Sequence, residues 1–191
     1  ILGFALAYSY LTADLPSPLM LQTLLDPNEG MLNEPTRIYD RTGKYVLATL
    51  ENPAASRRRY LSIKDSSAGL PKNLINATIA ALDPDFWTHH GYAYNWPLHD
   101  SRSTLAQRLV SNFRLWEETP GFRRSFREWL LAAQVTRVFG REKILEWYLN
   151  HAHFGNWAVG ADAAALSYFG KHAPQLTLSE AALLVGLLEA P

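Results

Sequence analysis

Cysteine is absent from all 191 residues, so disulfides and thiolate chemistry are excluded and the redox compartment is left open. Charge of one sign is lacking too: 18 Lys and Arg offset 18 Asp and Glu. A chain with no global field has no general means of recruiting nucleic acid, which is therefore not an expected partner. Internal repeats and low-complexity tracts are missing as well. The uncharged apolar run from Ile1 to Leu11 falls short of the roughly 20 residues that a bilayer-crossing helix needs. It reads as the end of a cut membrane helix, because Ser9-Tyr10 suits an interface and Pro16-Ser17-Pro18 an exit linker.

What is present is an apolar fraction of 48%, enough to bury one good core. Ile38-Tyr39 and Tyr45-Val46-Leu47 flank Asp40-Arg41-Thr42-Gly43-Lys44, the pattern of a hairpin with glycine in its turn. Pro71 suits a first helical turn, and Ile75, Ile79 and Leu82 then recur on one helical face. Tyr92 to Arg102 is aromatic and unpatterned, and Pro97 makes it a loop. The next helix opens at Ser103-Thr104, where Thr104 and Gln107 have capping-box spacing and Leu105, Leu109, Phe113 and Trp116 form the apolar stripe.

A further helix is predicted from Phe122 to Phe139, with Phe126, Leu130 and Ala133 inward and Gly140 as its stop. Arg141 to Asn150 and Ala158 to Phe169 read as two more, the second ended by Gly170. Thr177 and Glu180 form a second capping box before the last helix. The fold class is thus mainly α with a small N-terminal β-hairpin. Arg57-Arg58-Arg59 reads as a solvated loop.

Chemistry concentrates after the Pro71 helix, where Asp83, Asp85, His89 and His90 follow within a few residues. Packing fixes the backbone there while the helix end keeps side chains near solvent, the setting that acid and base chemistry needs. The plain alternative is a polar loop after a core helix. Arg124 and Glu128 share a helix face, as a phosphate-gripping pair or as an i,i+4 surface pair. His151 and His153 lack a third ligand and read as structural, so neither a metal nor a cofactor is expected.

These residues carry a resemblance. Leu82-Asp83-Pro84-Asp85-Phe86-Trp87-Thr88-His89-His90-Gly91 is similar to E-D-x-x-F-x-x-H-x-G, the first motif of the peptidoglycan glycosyltransferase domain of class A penicillin-binding proteins. Ser103 to Asn112 resembles the second motif, keeping Ser103, Thr104, Gln107 and Asn112, with Arg108 in place of its second glutamine. Arg124-Ser125-Phe126-Arg127-Glu128 resembles R-K-x-x-E, and Arg141 to Asn150 resembles K-x-x-I-L-E-x-Y-L-N. Ile38 to Gly43, Gly155-Asn156, Gly160, Ala163-Ala164 and Tyr168 to Lys171 continue the likeness.

The resemblance implies a lysozyme-like glycosyltransferase domain over residues 36–191, behind a linker at 13–35 and a truncated anchor helix at 1–12. It also implies a single-pass protein of the bacterial cytoplasmic membrane with this domain on the outer face, and a transpeptidase domain downstream. The substrate implied is a lipid-linked disaccharide-peptide or its glycan strand. Asp83 and Glu128 stand at catalytic positions, and His89, Ser103, Thr104, Gln107, Arg108, Arg124 and Asn150 at substrate-binding ones.

The chain departs from the family where the chemistry sits. Leu82 replaces the general-base glutamate, Ser125 and Ser111 replace lysines, and Thr136 stands where a further glutamate is usual. The segment between Gly91 and Ser103 is shorter than the family's mobile donor-site segment. Asp83 points about 100° away from Leu82 around a helix and Asp85 lies beyond Pro84, so neither reaches the vacated point without a backbone shift. Two readings stay open: a divergent glycosyltransferase with impaired activity, and a non-catalytic module that binds glycan or lipid-diphosphate or scaffolds the wall-assembly machinery.

Overall fold

The structure is a computed structural model that describes residues 8–13, 15–25, 36–50, 59–93, 103–113, 119 and 121–189. It is mainly α with one antiparallel hairpin, as the sequence predicts. The helices are α1 (residues 8–12), α2 (Leu19–Leu25), α3 (Lys72–Leu82), α4 (Leu105–Phe113), α5 (Phe122–Phe139), α6 (Arg141–His151), α7 (Ala161–Phe169) and α8 (Leu178–Glu189). Strands β1 (Thr36–Tyr39) and β2 (Val46–Leu50) pair Thr36 with Leu50 and Tyr39 with Val46, with a bulge between Ile38 and Tyr39.

The turn between the strands is built by Asp40, whose carboxylate accepts the Thr42 hydroxyl at 2.6 Å and the N–H groups of Lys44 and Tyr45. Those bonds, the hydroxyl's foremost, hold its carboxyl below the usual range. Gly43 supplies the left-handed residue, φ 70°, that closes the turn.

Two compact units divide the chain. One comprises Ile1–Leu21 and Thr78–Tyr148, and its buried apolar residues include Leu82, Phe86, Leu105, Leu109, Leu131, Val135 and Trp147. The other comprises Gln22–Ala77 and Leu149–Pro191, burying Leu61, Leu74, Phe154, the alanines of α7, Leu184 and Val185.

Several helix boundaries follow from local chemistry. The Pro71 carbonyl accepts the N–H groups of Leu74 and Ile75, so proline stands at the entry of α3. Gly140 ends α5 at φ 79°, its N–H returned to the Thr136 carbonyl. Gly170 ends α7 in the left-handed region and donates to Leu166. At α8 the expected capping box is formed, Thr177 N–H donating to Glu180 Oε2 and Glu180 N–H to Thr177 Oγ1.

Some expectations are corrected. α7 begins at Ala161 rather than Ala158, because residues 158–160 close a loop whose His153–Val159 bridge and Gly160 (φ 88°) interrupt helical geometry. On α5 the buried residues are Arg127, Leu131, Ala132 and Val135, not Phe126, Leu130 and Ala133. Arg127 is drawn inward by its hydrogen bond to the Ala13 carbonyl at 2.7 Å, while Phe126 stacks in a row between Phe122 and Trp129.

The assignment to a single-pass membrane protein with its domain outside is also overturned. Among the described residues no helix is long and apolar enough to cross a membrane. α1 stops before Ala13, and the 18 residues of α5 carry Arg123, Arg124, Arg127, Glu128 and Arg137. Residues 1–7 of the expected anchor, Trp116 of the α4 stripe, most of the loop from Tyr92 to Arg102, and Arg57 and Arg58 lie outside the described residues.

Candidate functional site

The residues that the sequence singles out meet mainly in the unit containing Thr78–Tyr148. Leu82, the last residue of α3, is 1% exposed and completes the buried face begun by Leu74, Thr78 and Ile79. Its side chain therefore belongs to the core.

Asp83 follows and is 6% exposed, with both carboxylate oxygens engaged. Oδ2 accepts the backbone N–H of Leu105 at 2.9 Å, and Nε2 of His89 lies 2.9 and 3.0 Å from the two oxygens. On the other side of the ring, His89 Nδ1 accepts the Gly91 N–H at 2.9 Å. Nδ1 is thus the acceptor and Nε2–H the donor, which fixes the tautomer and the ring orientation.

Thr104 and Gln107 form the capping box that their spacing predicts. Thr104 N–H donates to Gln107 Oε1 at 3.1 Å, and Gln107 N–H to Thr104 Oγ1 at 3.2 Å. The threonine hydroxyl also donates to the Gly91 carbonyl at 2.7 Å. The first-motif loop and the start of α4 are therefore tied at Asp83–Leu105 and at Gly91–Thr104. Ser103 is exposed and offers its carbonyl to Arg108 Nε at 3.2 Å.

Gly91 is required where it stands. Its φ is +93°, and an added Cβ would lie 2.1 Å from Thr136 Oγ1 and 2.7 Å from the Ala132 carbonyl. Thr136 thus packs directly beneath the motif loop and bonds its hydroxyl to the Ala132 carbonyl. Arg141 grips the same loop from α6, its guanidinium donating to the His89 carbonyl. No spacing in the sequence signals that role, since the partners stand 52 residues apart.

Arg124 and Glu128 form a second cluster. Arg124 Nε donates to Glu128 Oε1 at 2.9 Å and Nη2 to Ser111 Oγ at 3.2 Å, and each side chain of the ion pair is 19% exposed. Such a pair is more than an exposed i,i+4 contact, because it reaches across to α4. Ser111 takes part as a hydrogen-bond acceptor. A guanidinium held in this way presents fixed positive charge and oriented N–H donors.

Asn150 has a structural role in its own unit. It belongs to the other unit, is 8% exposed, and clamps the backbone of Leu61, accepting its N–H at 2.8 Å and donating to its carbonyl at 2.9 Å. The spacing within Arg141 to Asn150 held no hint of this, because Leu61 is 89 residues away.

Comparison with known proteins identifies the family. The family model described as Transglycosylase matches residues 44–191. Penicillin-binding protein 1A of Aquifex aeolicus is 34% identical over 190 residues, covering 93% of this chain and 24% of the relative. The protein of the same name from Rickettsia prowazekii is 35% identical over 82% of this chain and 21% of its own length. That of Pseudomonas aeruginosa is 31% identical over 100% of this chain and 23% of its own length. The chain thus spans about a quarter or less of these relatives. Motifs, helical architecture and comparison converge, and the chain belongs to the transglycosylase family, whose domain is lysozyme-like and occurs in class A penicillin-binding proteins.

Proposed function

We propose that this chain is a peptidoglycan glycosyltransferase-like domain of a penicillin-binding-protein type wall-synthesis protein, with its general base replaced by Leu82 and its polymerising activity impaired. Family membership supports glycosyl transfer in general. The observation that carries the finer reading is the pairing of a core Leu82 with an Asp83 whose two oxygens are already engaged by His89 and Leu105. Polymerisation of a lipid-linked disaccharide needs an acceptor hydroxyl to attack the donor's anomeric carbon as the diphosphate leaves. A carboxylate must take the hydroxyl proton, and fixed cations must meet the charge that grows on the leaving group.

The second requirement is partly met and the first is not. Arg124, held by Glu128 and Ser111, offers the cation, and Ser103, Thr104, Gln107, Arg108 and His89 line or brace the same unit. Glu128 orients the guanidinium. Asp83 positions the loop on α4, with both of its oxygens already engaged by His89 and Leu105. Asn150 contributes by fixing the backbone of its own unit. A binding module that grips lipid-diphosphate without turning it over is the second reading, favoured by the same Arg124 cluster surviving beside an absent base.

Polymerisation of lipid-linked precursor tests the proposal. Wild type should form no detectable glycan chains, because lack of a general base costs about 10²–10⁴-fold. Leu82→Glu should restore little, and Leu82→Glu with Ser125→Lys more, since residues acting as a unit do not add independently. Robust wild-type turnover that Asp85→Asn abolishes would show instead that a displaced aspartate serves as base.

A further inference from the structure

The loop from His153 to Gly160 is pinned at its base and carries an indole at its tip. Phe154 and Ala158 are buried, Phe154 N–H donates to the Ala158 carbonyl at 3.0 Å, and Tyr168 Oη donates to the Phe154 carbonyl at 2.9 Å. Asn156 Nδ2 ties the upper part to Ser167 Oγ at 3.0 Å. Gly155, Asn156 and Trp157 are all left-handed, with φ of 78°, 48° and 57°. Trp157 is 85% exposed.

Single exposed apolar side chains are ordinary on protein surfaces. Trp157 differs because of the backbone beneath it. Glycine and asparagine accept the left-handed region readily, whereas a bulky side chain there is a true outlier. The fold thus bears a conformational cost to hold an indole at a point where the ring gains no burial. Strain of this kind persists where a function uses it.

The surroundings select the class of ligand. His153, Asn156 and Ser167, the polar residues of the same loop and its tether, are all exposed. A lipid surface or a protein partner needs a contiguous apolar area, but a sugar ring needs one flat aromatic face with hydrogen-bonding groups at its edge. The electron-rich face of indole attracts the C–H-bearing face of a pyranose whose substituents are equatorial. We infer that Trp157, with Asn156 and His153 at its rim, is a glycan-stacking subsite for a β-1,4-linked N-acetylated sugar strand. The identity of that strand rests on the function proposed above; the stacking contact does not.

The test follows the indole N–H signal of Trp157 by NMR, assigned through its loss in Trp157→Phe, during titration with a β-1,4-linked N-acetylglucosamine oligosaccharide. The signal should move. Trp157→Gly should weaken binding roughly five- to tenfold, the scale of one aromatic stacking contact. It should also melt no lower than wild type, because glycine accepts φ 57° without strain. Trp157→Phe should keep most of the affinity.

A stationary Trp157 signal at saturating sugar overturns the proposal, as does a lower melting temperature in Trp157→Gly, which would make the indole a structural element. A signal moved by anionic lipid vesicles and not by the oligosaccharide overturns it in favour of a lipid surface. Binding of lipid-linked precursor, measured in parallel on wild type and Arg124→Ala, separates the two readings. Precursor binding lost in Arg124→Ala beside an unresponsive Trp157 removes the subsite alone. A responsive Trp157 with no precursor binding supports the subsite and removes the function proposed above.

Discussion

Asp83 accepts the backbone N–H of Leu105, 22 residues downstream, at 2.9 Å. The N–H groups of a first helical turn have no partner within the helix, so this carboxylate satisfies one of them and favours the positive end of α4. The same carboxylate receives His89, so one buried group joins the end of α3, the motif loop and the start of α4.

Removal of that group should loosen the unit. Asp83→Ala leaves the Leu105 N–H and the His89 Nε2–H without their acceptor, with an expected loss of about 1–3 kcal/mol in denaturant unfolding. Asp83→Asn keeps one acceptor oxygen and should lose less. Equal losses for the two variants would mean that the full carboxylate, with its charge and second oxygen, sets the contribution of this side chain and that one retained acceptor does not.

Leu82 should behave as a core residue. Leu82→Ala is expected to cost about 2–5 kcal/mol, and Leu82→Met less than about 1.5 kcal/mol. Leu82→Glu should also melt lower than wild type, since a carboxylate in the core lacks a partner. Thermal melts of the three variants read this directly, and an unperturbed Leu82→Ala would place the residue outside the core.

Gly91→Ala should be among the most disruptive single changes in the motif loop. The added methyl meets Thr136 Oγ1 and the Ala132 carbonyl, and φ +93° is strained for any side chain. Adding Thr136→Ala removes the Oγ1 clash but leaves the Ala132 carbonyl at 2.7 Å and the Cβ of residue 136 at 2.8 Å, so recovery in the melting temperature should be partial. Full recovery would show that the Ala132 carbonyl can move aside.

Arg124 should matter to anion binding more than a neighbouring arginine on the same helix. Arg124→Ala is expected to weaken binding of lipid-linked precursor by roughly tenfold or more, the scale of a charge-assisted hydrogen bond. Arg137→Ala, at an exposed position, should leave it within about twofold. Equal affinities for the two variants would reduce Arg124 to a helix-stabilising residue.

Glu180 gives a pH signature. The Lys171 ammonium at 2.7 Å, with the N–H and hydroxyl of Thr177, lowers its pKa from 4.5 to about 2. A depressed carboxylate pKa contributes stability that is full above the ordinary value and is lost as pH falls through the folded one. The α8 start should thus weaken between about pH 4.5 and 2, not near neutrality. Lys171→Ala should move the Glu180 midpoint upward in a carboxyl-resolved NMR titration, and an unmoved midpoint would leave Thr177 as the whole cause.

Local chemistry was legible in the sequence and tertiary pairing was not. The capping boxes at Thr104 and Thr177 were readable because both partners lie three residues apart. The hairpin and the bounds of α5 were readable for the same reason, with Gly43 and Gly140 as punctuation. Asp83–Leu105, Arg141–His89 and Asn150–Leu61 join residues that no spacing relates. The inward face of α5 was missed because a buried arginine breaks the apolar stripe, its stem covered once the guanidinium finds Ala13.

Asn150 offers Leu61 one acceptor and one donor, the pattern a neighbouring strand would present, although Leu61 lies in neither helix nor strand. Exchange of backbone hydrogens with solvent requires the bond to open, so protection follows bonding and burial rather than secondary structure. In deuterium, the Leu61 amide should therefore keep its hydrogen far longer than the amides of the exposed residues Asp65 and Ser66 that follow it. One asparagine side chain thereby extends slow exchange into a stretch of coil.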